Sequence, residues 1–182
     1  MNLESTFKAP AIGIRAPEFG ELAGADGKRY SRSSFQDSEI LVLVFTSNGC
    51  PTVRAFEERM AGIQEEYGHR GVQLVSINSN NPYLSPEDSL VEMVRRAREK
   101  QFNFPYLKDD RGNVARAYGA ICTPHAFVLD EERLIRYRGR IDDSRMAAAV
   151  KSPDLRNALD DLLTGAVVRQ TETEPFGCAI VW

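Results

Sequence analysis

Apolar positions along this chain fall into blocks whose spacing changes from one to the next. Ile40-Leu41-Val42-Leu43-Val44-Phe45 is unbroken, the pattern of a central strand covered on both faces. From Pro51 the period becomes helical. Val53, Phe56, Met60 and Ile63 recur one turn apart, with Arg54, Glu57, Glu58 and Arg59 between them. This predicts an amphipathic helix that Gly68 and Gly71 end. Val72 to Ile77 predicts the next strand, and the polar stretch Asn78 to Leu84 follows it.

A second helix is expected from Ser85 as its cap, with Pro86 in the first turn and Asp88 three residues after the cap. Leu90, Met93, Val94 and Ala97 form its inner face, and Arg95, Arg96, Arg98 and Lys100 a solvated outer face. Phe102 to Leu107 leads to a turn at Asp109-Asp110-Arg111-Gly112, and a short helix lies over Val114, Ala115 and Tyr118. Ala126 to Leu129 and Leu134 to Tyr137 flank the turn Asp130-Glu131-Glu132, a β-hairpin. The last helix starts at Ser152-Pro153, with Leu155, Ala158, Leu159, Leu162 and Leu163 apolar, and closes at Gly165. Near the other end, residues 9–39 are rich in turn formers, and Gly24-Ala25-Asp26-Gly27 predicts a tight turn between two short strands.

The order is strand, helix, strand, helix, short helix, hairpin, helix. The first two long strands should pair in parallel through a right-handed crossover, with the hairpin adding antiparallel strands. The class is α/β, a mixed central sheet flanked by helices with an N-terminal β-hairpin extension. One domain is expected over residues 1–165, followed by a tail over 166–182 to which no element is assigned.

Composition narrows the functions open to such a domain. The 182 residues include 42% hydrophobic residues, enough for one well-buried core. The net charge of -3 lacks the basic surplus of a nucleic-acid binder. No apolar run approaches membrane-spanning length. Met1 to Lys8 lacks the apolar core of a signal peptide, so a cytoplasmic location is expected. Three widely spaced cysteines, Cys50, Cys122 and Cys178, do not describe a disulfide-stapled scaffold. No Cys or His pair has zinc-ligand spacing, and no metal or organic cofactor is expected.

Chemistry centres on Phe45-Thr46-Ser47-Asn48-Gly49-Cys50-Pro51. A cysteine where a strand feeds a helix sits at the positive end of the helix dipole, which favours the nucleophilic thiolate. Ser47 could donate a hydrogen bond to the Cys50 sulfur or merely cap the helix. Arg54, one turn on, could hold an anion or lie on an exposed face. Cys122-Thr123-Pro124 precedes the run His125 to Leu129. Cys122 and Cys178 are both candidates to resolve an oxidised Cys50, Cys178 only if the tail folds back. His125 could tune the site or simply occupy a strand.

These features resemble the thioredoxin superfamily, and within it the branch of alkyl hydroperoxide reductase and thiol-specific antioxidant proteins. Ala16-Pro17-Glu18-Phe19, Asp26-Gly27-Lys28, the strand running into Cys50-Pro51, and Thr123-Pro124 carry the likeness. Tyr118-Gly119-Ala120, Arg138 to Asp143, and Gly177-Cys178 are similar to an uncharacterised peroxiredoxin-like subgroup. The resemblance implies a thioredoxin-like fold with a cis Thr123-Pro124 bond and a free backbone edge beside Cys50. It also makes a homodimer plausible. Thioredoxins carry cysteines at both ends of the four-residue motif, but here the first position is Ser47. Peroxiredoxins place Thr or Ser there and the peroxide-attacking cysteine second, as in Ser47 and Cys50-Pro51-Thr52. The strand arginine with which peroxiredoxins polarise peroxide has no assignable counterpart here.

Three readings remain open. Cys50 reduces hydroperoxides and is regenerated by a thiol reductant such as a thioredoxin or a low-molecular-weight thiol. Alternatively, Cys50 exchanges with protein disulfides. The third reading is a non-catalytic binding module.

Overall fold

The computed structural model describes residues 9–182; the signal-peptide reading of Met1 to Lys8 lies outside them. Seven strands form one mixed sheet in the order β2-β1-β5-β4-β3-β7-β8. They are β1 (Leu22–Gly24), β2 (Arg29–Tyr30), β3 (Ile40–Thr46), β4 (Val72–Asn78), β5 (Tyr106–Lys108), β7 (His125–Leu129) and β8 (Ile135–Gly139). Two further short strands, β6 (Cys122–Thr123) and β9 (Cys178–Ala179), pair with each other. The helices are α1 (Pro51–Tyr67), α2 (Leu90–Glu99), α3 (Asn113–Tyr118) and α4 (Asp154–Leu163).

β3 pairs in parallel with β4 from Ile40↔Val72 to Thr46↔Asn78, and antiparallel with β7. Its unbroken apolar sequence follows from being covered twice. Val42 and Val44 face Phe56, Met60 and Ile63 of α1 and Leu155 and Leu159 of α4. Leu41, Leu43 and Phe45 alternate to the other face, in a cluster with Phe19, Phe35 and Tyr118. The long strands, the hairpin and α1, α3 and α4 lie where the apolar spacing placed them, and β1–β2 is the expected N-terminal hairpin.

Three local expectations change. The second helix begins at Leu90, not near Ser85, and Ser89 Oγ caps it by accepting from the Glu92 N–H at 3.5 Å. Pro86–Asp88 is instead a separate 3-10 turn, because the Asp88 carboxylate turns inward to buried donors. Arg96 is not a solvated outer-face residue: its guanidinium makes two bonds, at 2.8 and 2.7 Å, to Glu57 of α1, which is itself buried. The third change is β5, which extends the parallel pairing beyond β4 through Ser76↔Tyr106 to Asn78↔Lys108. Three residues carry too short a pattern to reveal a strand.

Because β3, β4 and β5 run in parallel, their C-terminal ends share one edge of the sheet. Cys50, the 78–81 loop and Lys108 gather there, as open α/β sheets favour for sites.

Candidate active site

Cys50 is the N-cap of α1, in an extended conformation (φ -76°, ψ 114°), and its sulfur accepts from the Val53 N–H at 3.5 Å. Its thiol donates to the Thr123 carbonyl at 3.2 Å. The residue is only 2% exposed. The Thr123-Pro124 bond is cis, as the resemblance implied.

The backbone edge at Thr123 is not free. β9 runs antiparallel along it, with Thr123↔Cys178 and Cys122↔Ala179 as partners. Residues 166–182, left without an element by their sequence, thus include a strand that brings the Cys178 thiol against Cys50. Burial raises the Cys50 pKa, but the neighbouring Cys178 thiol and then the Val53 N–H outweigh it and hold Cys50 below the ordinary thiol value. Burial and the Cys50 sulfur push Cys178 the other way, up to about 11. Cys122 is also pushed up to about 11, by burial and then by Cys50, and its thiol turns toward the Pro124 carbonyl at 3.9 Å. All three cysteines are unbridged.

Ser47 does not bond the Cys50 sulfur. Its hydroxyl has one proton, and that proton goes to Asp88 Oδ2 at 3.0 Å while the oxygen accepts from the Gly49 N–H at 3.2 Å. Arg54 is likewise engaged elsewhere, its Nε donating to the Asn48 carbonyl at 2.8 Å. Thr123, by contrast, has a buried hydroxyl with no well-aligned partner of its own. It is the side-chain oxygen available to a ligand or a developing charge on Cys50.

Asp88 is a member of the site that sequence reasoning saw only as a helix signal. Fully buried, its carboxylate accepts from Ser47 Oγ, the Asn48 N–H at 2.6 Å, Asn78 Nδ2 at 2.7 Å, Asn80 Nδ2 at 2.8 Å and Ser85 Oγ at 2.7 Å. Burial raises its pKa, yet these donors overcome it and hold the carboxyl below its ordinary value. Tyr106 Oη donates to Asn48 Oδ1 at 2.9 Å, and Lys108 Nζ to the Asn80 carbonyl at 2.5 Å. The loop leading to Cys50 is therefore pinned from beneath by groups of β4, β5 and the 85–88 turn. The polar run Asn78-Ser79-Asn80 at a strand's end was the signal that could have pointed to it.

His125 is buried, and its Nδ1 accepts from the Ile121 N–H at 3.4 Å. Burial, and then the positive Arg138, lower its pKa to about 4. The unfolded chain binds a proton near pH 6.5 that the folded chain refuses until about pH 4, so stability rises with pH across that window. Acidification from pH 6.5 to 4 should cost about 3 kcal/mol from this group alone. Urea titrations of wild type and His125→Asn across that range check it: the variant should lose most of the slope, and parallel curves would refute the assignment.

Among the described residues, no group of three or more His, Cys, Asp and Glu could hold a metal ion. No helix there is long and apolar enough to cross a membrane.

A sheet of this topology, with a cysteine capping the helix after its central strand and a cis-proline loop beside it, defines a thioredoxin-fold thiol redox protein. The chain matches the AhpC/TSA family over residues 12–138 and belongs to it. A hypothetical protein of Sinorhizobium meliloti 1021 is 38% identical, with a TM-score of 0.89 and 96% of each chain covered. Peroxidoxin BcpB of Mycobacterium tuberculosis is 19% identical, with a TM-score of 0.60, 84% of this chain and 94% of that one being covered. A thiol:disulfide interchange protein of Chlorobium tepidum TLS is 21% identical, with a TM-score of 0.61 and coverage of 87% and 99%. At such identities the last two show the shared fold alone. No curated protein matches the chain in sequence.

Proposed function

We propose that the protein is a thiol peroxidase in which Cys50 is oxidised by a hydroperoxide and Cys178 resolves it. The observation that carries this reading is the pairing of β9 with β6, which sets Cys178 against Cys50 beneath a covered surface.

The Cys50 thiolate attacks the terminal peroxide oxygen. The O–O bond breaks, an S–O bond forms, and the leaving alkoxide takes a proton from water. The sulfur, oxidised by two electrons, is now a sulfenic acid. The Thr123 hydroxyl and the first-turn N–H groups of α1 stabilise the charge that moves from sulfur to oxygen. The Cys178 thiolate then attacks the Cys50 sulfur. An S–S bond forms, the S–O bond breaks, and hydroxide leaves as water after taking a proton. An external dithiol, such as a thioredoxin or two low-molecular-weight thiols, reduces the disulfide and is itself oxidised.

Cys122 is the weaker resolving candidate, because its thiol turns to the Pro124 carbonyl. Ser47 and Asp88 position the loop and touch no reacting atom. Exchange with protein disulfides is the second reading. It needs an extended chain beside Thr123, where β9 already lies. The depressed Cys50 pKa argues against a purely non-catalytic module.

Stoichiometric hydrogen peroxide should convert the reduced protein to a Cys50–Cys178 disulfide, located by peptide mass mapping. In Cys178→Ser the same treatment should leave a dimedone-reactive sulfenic acid at Cys50. An untouched Cys50 in both proteins after minutes would sink the proposal.

A further inference from the structure

The C-terminal residues cross the whole mouth of the site. The Thr171 carbonyl accepts from the Arg138 N–H at 3.0 Å, and the Thr173 N–H donates to the Arg138 carbonyl at 3.1 Å. Thr173 Oγ1 shares a hydrogen bond with Tyr137 Oη at 2.6 Å and accepts from the Arg140 N–H at 3.0 Å. Gly139 makes room for this, since a Cβ there would strike Thr173. Phe176 then packs on Phe56 of α1, with ring centroids 6.1 Å apart.

At Gly177 the chain presses onto the Thr123 carbonyl, which a Cβ would overlap, in a conformation (φ 153°) open to glycine. β9 follows. Beyond it the Asn81 N–H donates to the Val181 carbonyl at 2.7 Å, and the Val181 N–H donates to Asn80 Oδ1 at 2.9 Å. Arg116 lies over the Trp182 ring at 4.1 Å. The strap is tied at both ends, yet nearly all its side chains remain partly or fully exposed, Ile180 being the buried one.

We infer that residues 172–182 are a size filter, a built-in strand that fills the edge beside Cys50 so that small oxidants reach the sulfur and extended polypeptides do not. Gly177 is the residue that lets the strand come this close. The inference rests on Cys50 being the reacting thiol, as in the proposed function, but holds for any electrophile. A polypeptide disulfide can reach Cys50 only by lying where β9 lies, so it must first displace β9 and lose both ladder partners. A small hydroperoxide needs only a gap. Specificity then comes from exclusion as much as from attraction.

The test uses Cys178→Ser, which keeps the strand and removes the resolving thiol, so a mixed disulfide on Cys50 accumulates. Iodoacetamide is the small probe. A ten-residue peptide with a thiopyridyl-activated cysteine is the large one: Cys50 attacks the peptide sulfur and pyridine-2-thione leaves. Mass spectrometry reads both rates at Cys50, and their ratio cancels changes in thiolate fraction. Deleting residues 176–182 should shift the ratio toward the peptide by about tenfold or more. Gly177→Ala should move it the same way. Glu172→Ala removes the carboxylate from its ion pair with Arg138, and Trp182→Ala removes the ring under Arg116. Combined, they loosen the two exposed ends without touching the core, and cover the case in which the deletion does not fold. An unchanged ratio in the folded, opened variants overturns the filter, as does a Cys178→Ser protein whose peptide-to-iodoacetamide ratio already equals that of free cysteine. A Cys50 that takes iodoacetamide but ignores peroxide, with the ratio shifting as expected, refutes the peroxidase reading and supports the filter.

Discussion

Asp88→Ala is expected to cost about 3–5 kcal/mol of folding stability, a large share of the total for a domain of this size. The side chain is fully buried and accepts from five donors. Truncation leaves Ser47, Asn48, Asn78, Asn80 and Ser85 with donors facing a void that no carboxylate fills. It also removes the nearby negative charge that favours a protonated, buried Lys108. Asp88→Asn preserves volume but sets an amide NH₂ against some of the same donors, so it should recover only part of the loss. Urea denaturation followed by circular dichroism measures both, and a loss below about 1 kcal/mol for Asp88→Ala would contradict the account. The sign of the pH effect is fixed as well. The folded carboxyl titrates below its ordinary value, so its contribution is complete above the unfolded pKa and disappears as pH falls through the folded one. The first loss on acidification should therefore come from His125, and the loss from Asp88 should follow at lower pH.

Cys50→Ser is expected to abolish peroxide turnover, lowering the rate by about 10³-fold or more. A serine hydroxyl supplies no thiolate, and the remaining thiols are poor substitutes. At pH 7 a thiol whose pKa is about 11 is roughly 10⁻⁴ ionised, and burial is the first cause of that value at both Cys122 and Cys178. Peroxide consumption under excess dithiol, with wild type and Cys50→Ser side by side, decides it. A variant that keeps pace with wild type would place the chemistry elsewhere. The alkylation rate of wild-type Cys50 should also reach half its maximum at a pH below that of an ordinary thiol, because the folded state favours the thiolate.

Both expectations turn on residues whose surroundings the sequence discloses unequally. Ser85 and Asp88 have the spacing of a helix cap, and their side chains do bond at 2.7 Å. The pair still starts no helix, because Asn78, Asn80 and Asn48 draw the carboxylate into the interior. Ser47 stands three residues before Cys50, a spacing that fits a bond to sulfur, but an anion from a distant turn is a stronger acceptor for its single proton. In the first case the expected pair forms but starts no helix; in the second the serine proton goes to Asp88 and not to sulfur.

The sequence by itself determined the α/β class, the parallel β3–α1–β4 unit, the β7–β8 hairpin and the placement of Cys50 at a strand–helix junction. Those features rest on periodic burial and on a dipole that acts within one helical turn, both local properties of the chain. Only the tertiary structure decided which thiol meets Cys50, what covers it and where the proton of Ser47 goes. β6 and β9 are two residues each, too short for any periodicity, and they exist only because a glycine at 177 lets remote segments come within backbone hydrogen-bonding distance. Contacts between residues far apart in the chain leave no spacing in the sequence, because what selects them is the shape of the surface they close.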